Sequence, residues 1–313
     1  MTGGAAGSGR AARLLTPVLA RLRAAGVAVV PVGGPGPLSA ERQLREALRH
    51  GVDAVVALGG DGTVHLALQQ VAATPVRLGV VPAGSGDDVA RSLGLPRDAD
   101  AALDAVLAGH WSPVDAGLLD APGGERWFLS VLCAGYDAVV AERARALRRP
   151  RGPARYPAAA VAALPALRAR PYRLVLDGRE VQEEAVLLAV GSGSTYGGGL
   201  RICPGADPHD GLLDVVLVRP LAVPRLAALL PRIYAGSHLG HPAVVAHRAR
   251  VVRVEPAGAG RGPACAARGT RAAPPGAWAD GEPVAPLPVT VRAVPGAVRV
   301  LGAPGPRHVA SRA

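Results

Sequence analysis

Between Arg10 and Ala25 the apolar residues recur at helical spacing (Leu14, Leu15, Val18, Leu19, Leu22), and Gly26 closes the run. Val27–Val32 is a short apolar stretch that predicts a strand. Ser39 is placed to N-cap a helix over Ala40–His50, with Gly51 behind it. Two buried-type strands follow, Asp53–Leu58 and Val76–Val81. Each runs through a glycine-rich turn into a helical stretch, the first reaching Ala72 and the second Leu93, and a further helix is predicted over Ala99–Ala108. Strands and helices alternating at this spacing predict an α/β domain with a doubly wound parallel sheet.

From Trp111 the pattern changes to strand-like runs: Phe128–Ala134, Tyr172–Leu176, Ala185–Gly191, Leu212–Val218, Val244–Glu255 and Val289–Leu301. Helical stretches near Asp137–Leu147, Pro157–Ala169 and Val223–Tyr234 interrupt them. This predicts an α+β, mostly antiparallel second domain. Ala257–Gly276 is a low-complexity insert of Gly, Ala, Pro and Arg that needs no regular structure. The predicted domains are 1–113 and 114–294, with a strand over 295–303 that can return to the first domain and a loose tail over 304–313.

Composition narrows the chemistry. The 313 residues are 49% hydrophobic and 19% charged, enough for two packed cores. All 35 basic residues are arginine. The absence of lysine excludes a P-loop lysine, a protein-kinase strand lysine and Schiff-base catalysis. With 24 acids the net charge is +11, which favours anionic partners. Aromatics at 3% supply no stacking platform, so nucleic acid is not an expected partner. From Glu142 to Arg173 nine arginines face a single acid around the apolar run Tyr156–Leu167. That stretch reads either as a solvated helix pair or as a surface resting on anionic lipid. Cys133, Cys203 and Cys265 are far apart and read as thiols of a reducing compartment. The sequence shows neither an apolar leader nor a run long enough to span a bilayer, which predicts a cytoplasmic protein.

The strongest local signal is Gly59-Gly60-Asp61-Gly62-Thr63 between a strand and a helix. Glycines let the backbone turn sharply and approach a ligand, and the helix N-terminus favours phosphate. An acid among them suits a divalent cation bridging to phosphate; alternatively Asp61 and Thr63 only cap the helix. A second glycine-rich turn, Gly84-Ser85-Gly86-Asp87-Asp88, follows one strand later. Adjacent crossovers of a parallel sheet open at the same carboxyl edge, so both turns are expected to face one crevice. Asp280-Gly281-Glu282 and Asp210-Gly211 are also ordinary turn signals. His238 and His241, three apart without a third ligand, read as structural.

The order of these motifs resembles the diacylglycerol-kinase-like catalytic family of soluble bacterial lipid kinases, over nearly the whole chain. Gly59–Thr63 is similar to its GGDGT motif, and Pro82–Arg91 to its P-x-G-[TS]-x-N-D-F-A-R motif. Ala134–Ala138 is similar to its G-[FY]-D-A segment, Asp210–Asp214 to D-G-L-L-D, His241-Pro242 to an H-P segment, and Asp280–Glu282 to D-G-E. The resemblance implies a phosphofructokinase-like first domain, a β-sandwich second domain and ATP with Mg²⁺ in the cleft. A lipid hydroxyl, diacylglycerol first, would be the acceptor. By position Gly59, Gly60, Asp61, Gly62, Thr63, Val64, His65, Gly84, Ser85 and Asp88 would hold the nucleotide. Asp61, Asp280 and Glu282 would be catalytic, with Glu282 the proton acceptor, and Asp207, Asp210 and Leu212 would form a metal site. The protein would work at the inner membrane face, touching it through Arg143–Arg173, with a homodimer left open. A kinase for a soluble acceptor and a non-catalytic binding relative are the alternatives.

The sequence departs from the family pattern in four places. Gly3–Arg10 aligns with the end of an N-P-x-x-G motif without the strand that precedes it, so the true start is expected upstream. Gly33 or Gly34 stands where a nucleotide-touching threonine is usual, His65-Leu66 where Asn-Glu is common, and Asp87 where Asn is usual. The carboxylate of Asp87 adds negative charge, for which Arg91 is a candidate counter-charge.

Overall fold

The computed structural model describes residues 1–2, 9–34, 36–120, 124–147, 154–257 and 276–305. Residues 3–8, the arginines at 148, 149 and 151, Cys265, most of the predicted insert and most of the predicted tail lie outside the described residues. The chain divides into two compact units. Unit 1 comprises residues 1–116, 208–211 and 294–313, and unit 2 comprises 117–207 and 212–293.

Unit 1 holds α1 (Arg10–Ala24), α2 (Pro37–Arg49), β1 (Ala54–Gly59), α3 (Asp61–Val71), β2 (Arg77–Pro82), α4 (Asp88–Ser92) and α5 (Ala99–Leu107). It also takes the start of β3 (Trp111–Asp120) and the end of β14 (Val289–Leu301). β1 and β2 pair in parallel from Ala54↔Arg77 to Gly59↔Pro82. The end of β14 lies parallel on the other side of β2, with Arg299 opposite Arg77. Side chains alternate across these strands. Leu58 and Val81 join Val18 and Leu22 of α1 and Leu103 of α5 in one core. Asp98 caps α5 by accepting the amides of Asp100 and Ala101, both at 3.1 Å.

The predicted strand Val27–Val32 forms no ladder among the described residues. Thr2 lies beside it instead, donating its amide to the Val32 carbonyl at 2.8 Å. Thr2 also makes a single parallel bridge to Leu58 of β1. A strand needs a row of such bonds, and here the described partner provides one. The helix predicted from Ser39 starts earlier, at Pro37, with Gly36 as its N-cap. Proline suits the first helical position, where no amide is needed.

Unit 2 holds β4 (Arg126–Phe128), β5 (Val131–Gly135), α6 (Tyr136–Ala146), α7 (Arg155–Ala163), β6 (Arg170–Leu176), β7 (Arg179–Ala185) and β8 (Leu187–Gly191). β9 (Leu213–Val218), α8 (Val223–Ala235), β10 (Val244–Ala249), β11 (Val251–Pro256), β12 (Gly276–Ala279) and β13 (Glu282–Pro286) complete it. A six-stranded antiparallel sheet runs β10-β9-β8-β5-β12-β13. Opposite it lie antiparallel β7, β6, β11 and the first half of β14. Leu132, Leu188, Val190, Val215 and Leu217 from the first sheet meet Leu174, Val252, Val254, Val289 and Val291 from the second in one buried core. That is the two-layer β arrangement expected of a sandwich.

The single strand predicted over Val244–Glu255 is two strands in different sheets. β10 pairs with β9, and β11 pairs with β6 and β14. The change of sheet falls at Arg250. There Asp177 accepts the amides of Arg250 at 3.0 Å and Val251 at 2.8 Å. Ala249 and Val252 are buried with Arg250 and Val251 exposed between them, so the in–out alternation slips by one residue at the corner. On the outer face of the six-stranded sheet, Leu229 and Ile233 of α8 pack against Val186, Leu187, Val216 and Val218. Among the described residues no helix is long and apolar enough to cross a membrane.

Candidate active site

In unit 1 the two glycine-rich turns leave the carboxyl ends of neighbouring parallel strands and touch. A β-carbon built on Gly60 would stand 3.0 Å from the α-carbon of Gly84. The Ala83 amide donates to the Gly59 carbonyl at 2.9 Å, locking the turns side by side. Only glycine permits this approach, so main chain rather than side chain forms the surface where the turns meet.

Polar side chains then fix the turns. Asp61 accepts the Val89 amide at 3.0 Å and so ties the first turn to the start of α4. Asp87 takes a left-handed backbone (φ 52°) and accepts the Gly84 amide at 2.9 Å, closing the second turn on itself. Burial raises the Asp87 carboxyl above its ordinary value; the Gly84 hydrogen bond and the charges of Arg10, Arg97 and Arg91 pull the other way. Arg91 donates to the Gly86 carbonyl at 3.4 Å and lies 4.0 Å from the buried Asp88 carboxylate. Ser85 stands exposed at the crest of its turn.

The other residues assigned to the nucleotide sit on the first turns of α3. Thr63, Val64 and His65 are buried, and the Thr63 and Val64 amides close on the Gly60 carbonyl at 2.9 and 3.2 Å. His65 faces Gln69, ring nitrogen to side-chain amide, at 3.4 Å. Beside Gly33, one of the two glycines expected at the threonine position, stands the Thr2 hydroxyl; a β-carbon on Gly33 would lie 2.6 Å from it. The residues suit a phosphate on one observation, the glycine crossing, which presents main chain next to a helix start.

The Asp210-Gly211 turn is also held in unit 1. Asp115, buried in β3, accepts the Gly211 amide at 2.7 Å and the Gly296 amide at 2.8 Å. Its own amide donates to the Pro208 carbonyl at 2.8 Å. The sequence reading missed Asp115. Its signal was an acid inside the apolar run of β3, which burial obliges to find partners. Asp207 and Leu212 are half-buried and Asp210 is exposed. Among the described residues no group of three or more His, Cys, Asp or Glu side chains is arranged to hold a metal ion. The proposed set offers two carboxylates and would rely on main-chain oxygens for the rest.

In unit 2, Asp280 and Gly281 are the two turn residues of the β12–β13 hairpin, with φ 51° and 81°. Positive φ at both positions is what a type I′ turn requires. The hairpin reading and the functional one therefore fall on the same residues. Asp280 is buried, and its two oxygens accept the amides of Leu129 at 3.2 Å and Ser130 at 2.9 Å. Ser130 in turn donates its hydroxyl to the Thr195 carbonyl, and its own carbonyl accepts the Ser192 and Gly193 amides. Glu282 is more exposed and is ion-paired to Arg145 at the end of α6.

Next to this hairpin lies a polar group whose acid belongs to the G-[FY]-D-A-like segment Ala134–Ala138, to which the sequence reading assigned no role. Asp137, on the first turn of α6, accepts the Tyr196 hydroxyl. Burial raises its carboxyl to about 7, with the Tyr196 hydrogen bond opposing. Trp278 of β12, two residues before Asp280, packs with Cys133, Ala138 and Ala141. Tyr156 places its hydroxyl close to Gly281.

Residues 3–119 match the model of the diacylglycerol kinase catalytic domain. Residues 130–302 match the model described as the YegS C-terminal NAD kinase beta sandwich-like domain. A protein of Mycobacterium tuberculosis (strain H37Rv) named diacylglycerol kinase is 39% identical over 311 residues, covering 98% of this chain and 94% of that protein. A diacylglycerol kinase of Staphylococcus aureus (strain Newman) is 30% identical over 224 residues, 71% of this chain and 69% of that one. A crystal structure titled as a diacylglycerol kinase from Bacillus anthracis superposes with a TM-score of 0.67. Its sequence is 19% identical, and the superposition covers 96% of this chain and 94% of that chain.

Proposed function

Because the chain belongs to the diacylglycerol kinase family, we propose that it transfers the terminal phosphoryl group of ATP to the hydroxyl of a lipid, with diacylglycerol as the first candidate. The observation that carries this reading is the contact of Gly60 and Gly84 at the ends of two parallel strands. Unit 1 would hold the nucleotide on these turns. Asp61 and Asp88 are the carboxylates that would hold magnesium, which would supply charge neutralisation for the phosphates there. In a chain without lysine the remaining positive charge comes from Arg91 and main-chain amides.

Asp280 and Glu282 divide their work by geometry. Both oxygens of Asp280 accept main-chain amides, so it fixes the hairpin. Glu282, held by Arg145, is the group available to take the proton of the acceptor hydroxyl. The hydroxyl oxygen forms the new bond to phosphorus, the bond to the bridging oxygen breaks, and the proton passes to the Glu282 carboxylate. ADP leaves with the electron pair.

The test is transfer of labelled phosphate from ATP to extracted lipids by wild type, Asp61→Ala and Glu282→Gln. Label in the organic phase, lost in both variants, is the expected result. Label in the aqueous phase would favour a soluble acceptor, and no label in either phase would favour a binding protein.

A further inference from the structure

A closed circuit of hydrogen bonds in unit 2 starts and ends on the Asp280-Gly281-Glu282 turn. The Asp280 carboxylate accepts the Leu129 and Ser130 amides. Ser130 passes the constraint to the segment 192–196. Its carbonyl accepts the Ser192 amide at 3.0 Å and the Gly193 amide at 2.8 Å, and its hydroxyl donates to the Thr195 carbonyl. Tyr196 follows directly and donates its hydroxyl to Asp137 on the first turn of α6. On the last turn of the same helix Arg145 donates to Glu282, and the circuit is back at the turn it left.

Helix α6 is the rigid side of this circuit. It leaves β5 through Gly135, whose backbone (φ 81°) makes the corner, and no side chain caps its start. A helix hung on one glycine can swivel unless its first turn is held. The Tyr136 amide, donating to the Val186 carbonyl at 3.0 Å, is one hold, and the Asp137–Tyr196 bond is a second. Ala138, Ala141 and Arg145, three and four residues apart, share one face of the helix. The two alanines pack with Trp278 of β12, and Arg145 reaches Glu282 at the start of β13. A hydrogen bond fixes distance and angle, which the apolar contacts with Trp278 do not. The distance from Asp137 to Arg145 is about 12 Å along the axis, so a tilt of about 5° at the first turn moves the far end by about 1 Å.

We propose that Asp137 and Tyr196 are positioning residues for phosphoryl transfer: their hydrogen bond sets the tilt of α6, and α6 holds Arg145 where it orients the Glu282 carboxylate. Neither side chain touches the reacting atoms; both act through Arg145. The inference rests on the reading of Glu282 as the proton acceptor.

The test is steady-state transfer of labelled phosphate from ATP to diacylglycerol by the full chain. Tyr196→Phe, which keeps the ring, should lower kcat about tenfold and leave both KM values within about twofold. Asp137→Ala should behave alike, while Asp137→Asn, which retains an oxygen to accept the hydroxyl, should recover most of the rate. Tyr196→Phe combined with Arg145→Ala should be no slower than Arg145→Ala alone, because the first change acts only through the second residue. A general loosening of the fold would instead multiply the two losses. Hydrogen exchange supplies a readout free of activity: the α6 amides at 143–147 should exchange faster in Tyr196→Phe, and those of α8 should not change. An active wild type whose Tyr196→Phe variant keeps kcat, or losses that multiply in the double variant, overturns the proposal. Unchanged exchange in Tyr196→Phe overturns the tether by itself. Wild type that labels no lipid overturns the phosphoryl-transfer reading, and the positioning role falls with it.

Discussion

A β-carbon on Gly84 would stand 2.6 Å from the α-carbon of Gly60 and 2.7 Å from the Asp87 carboxylate. The neighbouring backbone cannot yield without separating the two turns. Gly84→Ala should therefore cost about 1–3 kcal/mol of stability and weaken binding of a fluorescent ATP analogue by about tenfold or more. Gly240 has nothing within 4 Å, so Gly240→Ala serves as the control. Equal behaviour of the two variants would remove the turn contact from the argument.

Asp280 predicts a stability effect that is independent of catalysis. Asp280→Ala leaves the Leu129 and Ser130 amides without their acceptor in a buried place. The expected loss is about 1–3 kcal/mol, read as a lower midpoint in urea unfolding. An unchanged midpoint would mean that the hairpin does not rely on these bonds.

The Arg145–Glu282 pair is of the opposite kind. Its side chains are 56% and 37% exposed, so Arg145→Ala should change stability by no more than about 1 kcal/mol. Lipid-dependent transfer should nevertheless fall through kcat, because Glu282 loses the group that holds it, and Arg145→Lys should recover part of the rate. A variant with normal kcat would show that Glu282 needs no such support.

Asp137 predicts a dependence on pH. Its carboxyl titrates near 7 in the fold against an ordinary value of 3.8. Between about pH 4 and 7 the unfolded chain gives up this proton while the native protein keeps it, so stability falls as pH rises through that window. Above about 7 both states are ionised and the contribution is constant. Asp137→Asn lacks the ionisation and should gain on wild type as pH rises from about 4 to about 7 in thermal melts, holding a constant advantage above that. Parallel melting curves for the two proteins across that range would contradict the burial of this carboxyl.

Periodicity and glycine placement determined much of this protein without a structure. The helical spacing from Leu14 to Leu22, the apolar runs of β1 and β2, and the glycines at 59–62 and 84–86 each encode a local conformation, and local conformation needs only neighbours in the chain. The same holds for the Asp280-Gly281 turn. Partners distant in sequence were decided only by the tertiary structure. Val27–Val32 has the composition of a strand but acquires a ladder only if another strand lies beside it. The run Val244–Glu255 belongs to two sheets because Asp177, more than seventy residues earlier, takes the amides at its corner. Asp115 binds Gly211 and Gly296, Arg145 binds Glu282, and Tyr196 binds Asp137. The reason is that a buried polar group is satisfied by whatever the fold brings within about 3 Å of it, and sequence spacing carries no measure of that distance.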